Sequence, residues 1–548
     1  MTGSVDAPGP ATDPPAGTSP GDRTPPEGVG ASGRFPEVLR SDLAGSIADG
    51  VIVVAVTVLA WSRRRSMPRD GWFFDDAWQA FGAARSGVGD LWVTGQTQPV
   101  YNAALWAWVR LFGEGEASLV TPARLAGVLG PALLYLVLRR FGAARSVGTL
   151  GAVSLAVVTI HVTYSGRVKV YTIDLIVVLA LMLALPRLTR RRWSPVTAAG
   201  WVVGALLLSG ASSFLLIATA TAGVVLVLHP AGDRWVRAAA VAGQAVGSGA
   251  MLAATRTTLD IDGVSGHWGS NGGYIALRPL RGLPVRLDTH GRRVVEALVD
   301  QHSWVVRLVL VAAVFGLVLT AWRGPHPVVG RFLLATAGLA VVGSVLERVP
   351  FGTLSGGDTR RASIWLVPAV AFGFAATLGR LRGLVGRAPV GRAAFDVAVL
   401  LAATLLVVAT ADVPRGYARA GGRAAIERAV AEAGREDEVW FARSVAFQGG
   451  LYGDERAGIR ATPEELVGFA PDFDDPRFHD LPFGPIDPAL VERARGAPRV
   501  LVVWATSFTR GAWGDQLERI AVTLTLLGFE PFETVTIESG SLVDWRRP

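Results

Sequence analysis

The sequence predicts a mainly α-helical, polytopic membrane protein with a small α/β domain at its C-terminal end. Three observations carry this. Half of the 548 residues are hydrophobic and only 18% are charged, against roughly 25% in an ordinary soluble protein. The mean hydropathy is +0.38, and the apolar residues gather into about eleven long, charge-poor segments of the kind that cross bilayers. From about residue 414 the composition changes to that of a soluble domain.

Composition also excludes several function classes. The chain has no cysteine, which rules out disulfides, Fe–S clusters, thiolate zinc sites and cysteine nucleophiles. Its 7 histidines show no HExxH-like spacing. The formal charge of +8 comes from arginine, with Lys169 the single lysine. A pI near 10.4 would suit nucleic acid, but the arginines sit mostly between apolar segments. Topology and anionic lipid head groups explain them better, and no nucleic-acid partner is expected.

Residues 1–45 are rich in Pro, Gly, Ser, Thr and Asp. Such a segment cannot bury enough surface to offset its ordering entropy, so a disordered tail is expected. No charged n-region and apolar h-region open the chain; the first apolar segment, 46–61, reads as a signal anchor. Further apolar segments follow at 118–138, 146–162, 171–186, 195–210, 213–229, 236–255, 304–322, 331–346, 361–379 and 394–411. Together 46–413 form the expected membrane domain.

The connections alternate in character. Short arginine-rich ones contain Arg139, Arg140 and Arg145; Arg187, Arg190, Arg191 and Arg192; Arg234 and Arg237; Arg323 and Arg331; and Arg380, Arg382, Arg387 and Arg392. By the positive-inside rule these face the cytoplasm, as does the N-terminus. The loops 62–117, 163–170, 256–303 and 347–360 are mixed and should face outward. Arg63, Arg64 and Arg65 stand on that outward side, against the rule. Within the first loop, Pro99 to Phe112 is aromatic and too short to span; Trp106 and Trp108 suit an interfacial or re-entrant helix.

In the tail, Arg423–Ala433 and Gln516–Leu527 are helical patterns. Glu438–Phe441, Val500–Trp504 and Phe532–Ile537 read as strands, and 454–487 as loop. The alternation predicts an external α/β domain over 414–548.

Three constellations could carry chemistry. Phe73-Phe74-Asp75-Asp76-Ala77-Trp78 sets two carboxylates among aromatics at the membrane surface. An acid there is costly unless solvated or partnered, so it is a functional candidate. The pair also fits a helix N-cap, and the two roles are compatible. Tyr164 to Asp174 offers Arg167, Lys169, two tyrosines and a carboxylate at the mouth of an apolar span. Arg and Lys are natural ligands of a lipid-linked phosphate; snorkelling cations and a capping Asp174 are the alternative. Ser355-Gly356-Gly357-Asp358-Thr359-Arg360-Arg361 would suit an anion, and is also ordinary turn chemistry. There is no GxxxxGK[ST] and no GxSxG, so neither a P-loop ATPase nor a serine hydrolase is supported.

Taken together, these residues resemble a family. The acidic pair after the first span is followed by an aromatic helix ending Arg110-Leu111-Phe112-Gly113. Then come Pro122-Ala123-Arg124-Leu125-Ala126-Gly127-Val128 and a span ending Leu138-Arg139-Arg140-Phe141-Gly142. This resembles the GT-C superfamily of polytopic glycosyltransferases, in its protein-mannosyltransferase and aminoarabinose-transferase-like (family 39-like) branch, most clearly over 70–186. The resemblance implies that Asp75-Asp76 and Asp174 are the family's catalytic acids, with Asp75 the base. This chain has Asp76 where many relatives have Glu. It further implies a sugar donor on polyprenyl phosphate, an extracytoplasmic glycan, lipid or protein acceptor, and often a divalent cation (Mg, Mn or Zn), for which Asp75 and Asp174 are the candidate ligands. Arg167, Lys169, Arg360 and Arg361 stand where the leaving phosphate would be met. No nucleotide or haem is expected.

The chemistry then expected is inverting transfer of a hexose or pentose. A carboxylate takes the acceptor hydroxyl's proton and cations meet the departing phosphate. A transporter or flippase of lipid-linked glycans, or an inactive GT-C-like scaffold, is the competing expectation; the repeats a transporter would show are not seen.

Overall fold

The computed structural model describes residues 35–65, 74–87, 89–90, 98–230, 233–256, 272–299, 303–351, 359–411, 422–452, 473, 476–481, 484–506, 512–537 and 540–548. Side chains are described for all of these except 35–44, 74–75, 255–256, 303, 359–361 and 512–513. Most of the expected disordered tail lies outside this set.

The chain is mainly helical. Helix α1 is Phe35–Arg64, beginning inside the stretch that composition assigned to the tail; its residues up to Gly50 form a unit separate from 51–548. There follow α2 (Phe74–Arg85), α3 (Pro99–Phe112), α4 (Glu116–Arg140), α5 (Arg145–Val157), α6 (Thr159–Tyr164), α7 (Tyr171–Arg190), α8 (Pro195–Ala211), α9 (Ser213–Leu228) and α10 (Arg234–Arg256). After these come α11 (Leu283–Val295), α12 (Ser303–Arg323), α13 (Pro327–Val345), a 3₁₀ segment Thr359–Leu366, α14 (Val367–Val385) and α15 (Pro389–Ala409). Among the described residues, 7 helices are long and apolar enough to cross a membrane, and three shorter apolar helices (Arg145–Val157, Pro195–Ala211, Ser213–Leu228) accompany them. The chain is an integral membrane protein.

The segment expected as one span at 146–162 is broken. Val158 is extended (φ −60, ψ 129) between α5 and α6. The break frees the carbonyls of Leu155 and Ala156, which would otherwise serve the next turn. His161 Nδ1 meets the first at 3.0 Å and the Arg64 guanidinium donates to the second at 3.1 Å. Broken helices survive at membrane depth only where such groups are re-satisfied.

Packing between spans follows small residues. A Cβ on Gly316 would lie 1.8 Å from the carbonyl oxygen of Gly373, so α12 and α14 approach backbone to backbone. The main apolar core runs through Leu134, Leu179, Phe214, Phe332 and Trp365.

The arginine-rich connections collect at one end of the bundle. Arg382 and Ser146 both bond Asp396, at 2.7 and 2.5 Å, and Arg237 donates to Thr189 O and Arg191 O at 3.0 Å. Phe141 stacks edge-on against His326 at 5.0 Å. At the opposite end, Thr172 Oγ1 donates to Ala123 O (3.0 Å), Ser212 to Asp174 (2.9 Å), and Phe214 stacks on Trp365 (5.4 Å). Arg63 also lies there, donating to Thr410 O (2.8 Å) and Val407 O (3.0 Å), so it closes the C-terminus of α15. Its anomalous charge thus has a structural partner.

The C-terminal region is a five-stranded mixed sheet of order β2-β1-β3-β5-β4, with β1 (Glu438–Ala442), β2 (Phe478–Leu481), β3 (Arg499–Ala505), β4 (Glu530–Ile537) and β5 (Gly540–Arg546). β1 is parallel to β2 and β3; β5 is antiparallel to β3 and β4. Helices α16 (Arg423–Glu432), α17 (Ala446–Tyr452), α18 (Pro488–Gly496) and α19 (Ala512–Leu526) accompany it. Trp440 and Phe441 fall on opposite faces, as strand alternation requires, and belong to separate cores, one with Ile520 and Leu524, the other with Ile426 and Leu542. Strand β2 lies within the stretch expected as loop. Its isolated Phe and Leu among polar residues give no strand pattern, and pairing with β1 supplies the order.

Candidate active site

Helix α2 begins at Phe74, so Asp75 and Asp76 lie inside its first turn and neither is the N-cap. The Asp75 side chain lies outside the described ones, as do those of Arg360 and Arg361 in the 3₁₀ segment. Asp76 is described and buried. Its Oδ2 accepts from Arg167 Nε, each side chain being 3% exposed. Arg167 belongs to the turn between α6 and α7, which sequence alone reads as an external loop. The structure buries it: Ser165, Val168 and Val170 are all inaccessible, and Lys169 is half-buried. Arg167 therefore does not snorkel. Its guanidinium also stands 5.3 Å over the Tyr164 ring, whose edge-on partner is Tyr171 at 5.3 Å.

Asp174 is fully buried in the first turn of α7. Its backbone N–H donates to Val170 O at 2.9 Å, and the helix starts at Tyr171, so Asp174 is not the cap. Its Oδ2 accepts from Ser212 Oγ at 2.9 Å, at the junction of α8 and α9. Its Oδ1 has no hydrogen-bond partner among the described residues. A buried acceptor in that state suits a bound cation or a donor from substrate. No group of three or more His, Asp or Glu with metal-binding geometry occurs among the described residues.

Sequence reasoning missed two contributors. Tyr101, on α3, is buried with Trp78, Val168 and Val170. Burial pushes its phenol upward, and the charges of Asp76 and then Asp174 push it further, so it stays protonated. Its hydroxyl has no partner among the described residues. It thus sits within electrostatic reach of both acids, with Gln79 Nε2 donating to Asn102 Oδ1 (3.0 Å) to fix α3 against α2. Only the aromatic character of the helix signalled it.

The second is Arg64. It is fully buried and donates to Ser165 Oγ (2.7 Å) and to Ala60 O (2.8 Å), with His161 Nδ1 at 2.8 Å. It thereby ties α1 to the turn that carries Arg167. Gly127 permits this, because a Cβ there would lie 2.2 Å from Ser165 Cβ. The triplet Arg63-Arg64-Arg65 was the available signal, read there only as topology.

The α/β domain closes over this end. Phe447 on α17 packs against Phe81 of α2 at 5.4 Å. Glu116, at the start of α4, accepts from the Tyr452 hydroxyl and from Arg423 Nη1 (3.4 Å).

Comparison with known proteins agrees with this architecture. Residues 96–255 match the profile of a family described as dolichyl-phosphate-mannose-protein mannosyltransferase. No curated protein matches the chain in sequence. ArnT from Cupriavidus metallidurans in its apo state superposes with a TM-score of 0.51 at 13% identity, covering 91% of this chain and 98% of ArnT. ArnT bound to undecaprenyl phosphate gives 0.52, with the same identity and coverage. The oligosaccharyltransferase of Archaeoglobus fulgidus gives 0.46 at 12% identity, covering 86% and 71%. The fold is similar to that of the two ArnT structures, and the resemblance read from the sequence is borne out.

Proposed function

We propose that the chain transfers a sugar from a polyprenyl-phosphate donor to a hydroxyl of an extracytoplasmic acceptor, with inversion at the anomeric carbon. The observation that carries this is the buried set of Asp76, Arg167, Asp174 and Tyr101 at one end of a GT-C fold. The ArnT structure bound to undecaprenyl phosphate supports the lipid donor.

Asp75 is the general base. Asp76 Oδ2 is taken up by Arg167, which leaves its neighbour for the proton. The acceptor oxygen attacks the anomeric carbon as its proton passes to Asp75. The bond from that carbon to the phosphate oxygen breaks, and the phosphate leaves with the electron pair. A positioned carboxylate contributes roughly 10²–10⁴-fold in such a step. Arg167, Lys169, Arg360 and Arg361 supply positive charge where the phosphate's charge develops. The Tyr101 hydroxyl donates to the same substrate oxygens. A divalent cation, if bound, would rest on Asp174 and Asp75 and neutralise phosphate charge.

The gathering of the arginine-rich connections at the far end supports a cytoplasmic location there, and an outward-facing site. The domain formed by 414–548 then stands outside the membrane, above the site, and confronts the acceptor.

Native mass spectrometry of the purified chain with undecaprenyl phosphate tests the donor assignment. Binding that is saturable, and weakened at least several-fold by Lys169→Ala, is expected. No binding above that of a neutral polyprenol would defeat it.

A further inference from the structure

We propose that residues 276–287 form a bilayer-surface anchor that binds the head groups of anionic phospholipids. The stretch reads Ala-Leu-Arg-Pro-Leu-Arg-Gly-Leu-Pro-Val-Arg-Leu, with three arginines and no acid. It leaves its apolar side chains outward: Leu280 is 69% exposed, Val285 67% and Leu277 44%. Arg278 and Arg281 are exposed beside them. Arg286 instead folds back, donating to Leu277 O (3.1 Å) and Pro279 O (2.8 Å), which holds the segment as a hook.

Its position sets its partner. Helix α11 runs beside the opening turns of α12: Arg307 Nη2 donates to Asp288 at 3.0 Å, and a Cβ on Gly291 would lie 2.9 Å from Leu310. The hook therefore stands at the N-terminal end of a membrane span, level with Trp304, itself 68% exposed. Ile275 N–H donates to Ser344 Oγ (3.1 Å) and Phe351 N–H to Gly273 O (2.8 Å), which anchors the hook to the bundle end that carries Asp174. A rigid surface presenting Leu, Val and Trp with arginine at that depth matches the boundary between acyl chains and head groups. The outward Arg278 and Arg281, with no acid in the stretch, select head groups of negative charge. The proposal does not depend on the glycosyl-transfer reading.

The chain has no cysteine, so single nitroxide labels can be placed without background. Leu280→Cys and Val285→Cys would be labelled in full-length protein in phosphatidylcholine nanodiscs, with or without equimolar phosphatidylglycerol. The reference is Glu492→Cys on α18, where Glu492 is 64% exposed. At 280 and 285, oxygen accessibility relative to a water-soluble nickel chelate should exceed the reference several-fold. Phosphatidylglycerol should raise it, and Arg278→Gln/Arg281→Gln should remove that increase. Labels at 280 and 285 as open to the chelate as the reference would overturn the anchor. Equal depth with and without phosphatidylglycerol would overturn its preference for anionic lipid.

Discussion

Arg167 and Asp76, 91 positions apart, form a hydrogen-bonded ion pair with each side chain 3% exposed. Breaking such a pair leaves one charge buried without compensation, at a cost of about 3–5 kcal/mol. Arg167→Gln should therefore lower the thermal unfolding midpoint of the chain in detergent, followed by tryptophan fluorescence. Asp76→Asn combined with Arg167→Gln should recover most of that loss, because no charge remains stranded. A double variant as unstable as the single one would show that the pair is not the stabilising contact.

Gly127 gives a steric test of the support beneath this pair. A Cβ there would lie 2.2 Å from Ser165 Cβ and 3.0 Å from Arg64 Nε. Gly127→Ala should cost about 1–3 kcal/mol by overpacking, and should raise hydrogen exchange in the turn 165–170. Unchanged exchange there would mean that the turn does not lean on α4.

Tyr101→Phe separates function from stability. The hydroxyl is buried and has no partner among the described residues, so its removal should leave the unfolding midpoint unchanged or slightly raised. Transfer should fall by roughly ten-fold or more, as for other donors aimed at developing charge. Full activity in Tyr101→Phe would exclude the hydroxyl from the reaction.

Much of this was legible in the sequence. Hydrophobic runs located the long spans between 116 and 409 because their signal is redundant, but not the break at Val158 nor the amphipathic helix α11, which lies in the stretch read as the loop 256–303. Strands β1, β3 and β4 announced themselves by alternation or apolar runs. Strand β5 did not, because it buries a charge: Asp544 is held by Arg499 (2.9 Å) and Arg546 (2.8 Å). At the site, type and spacing picked out Asp76, Arg167 and Asp174. They could not reveal that Arg167 turns inward to Asp76, nor that Asp174 turns to Ser212, since both contacts join segments far apart in the chain. Arg64 was misleading for the same reason. Its partners, Ser165 and His161, are about a hundred residues away, and an arginine at a span end ordinarily reports the lipid surface.

Asp480 gives the C-terminal domain a pH signature. Burial pushes its carboxyl up to about 6, against the pull of Arg443, whose Nη1 donates to it at 2.5 Å. The folded state thus holds this proton more tightly than the unfolded chain, whose carboxyl titrates near 3.8. Stability from this group is present at low pH and is lost as pH rises from about 4 to about 6. Denaturant midpoints across that window, read from hydrogen exchange of strands β1 and β2, should fall with pH in the wild type and lose this component in Asp480→Asn. An identical pH slope in both would remove Asp480 as its source.

The assignment of Asp75 as the base is tested most directly by glycan profiling of a deletion strain complemented with wild type, Asp75→Asn or Asp174→Asn at equal membrane abundance. Wild type should restore the missing envelope glycan. Asp75→Asn should restore less than about a hundredth of it, in line with loss of a positioned base. A strain carrying Asp75→Asn that makes the glycan as fully as wild type would contradict the account.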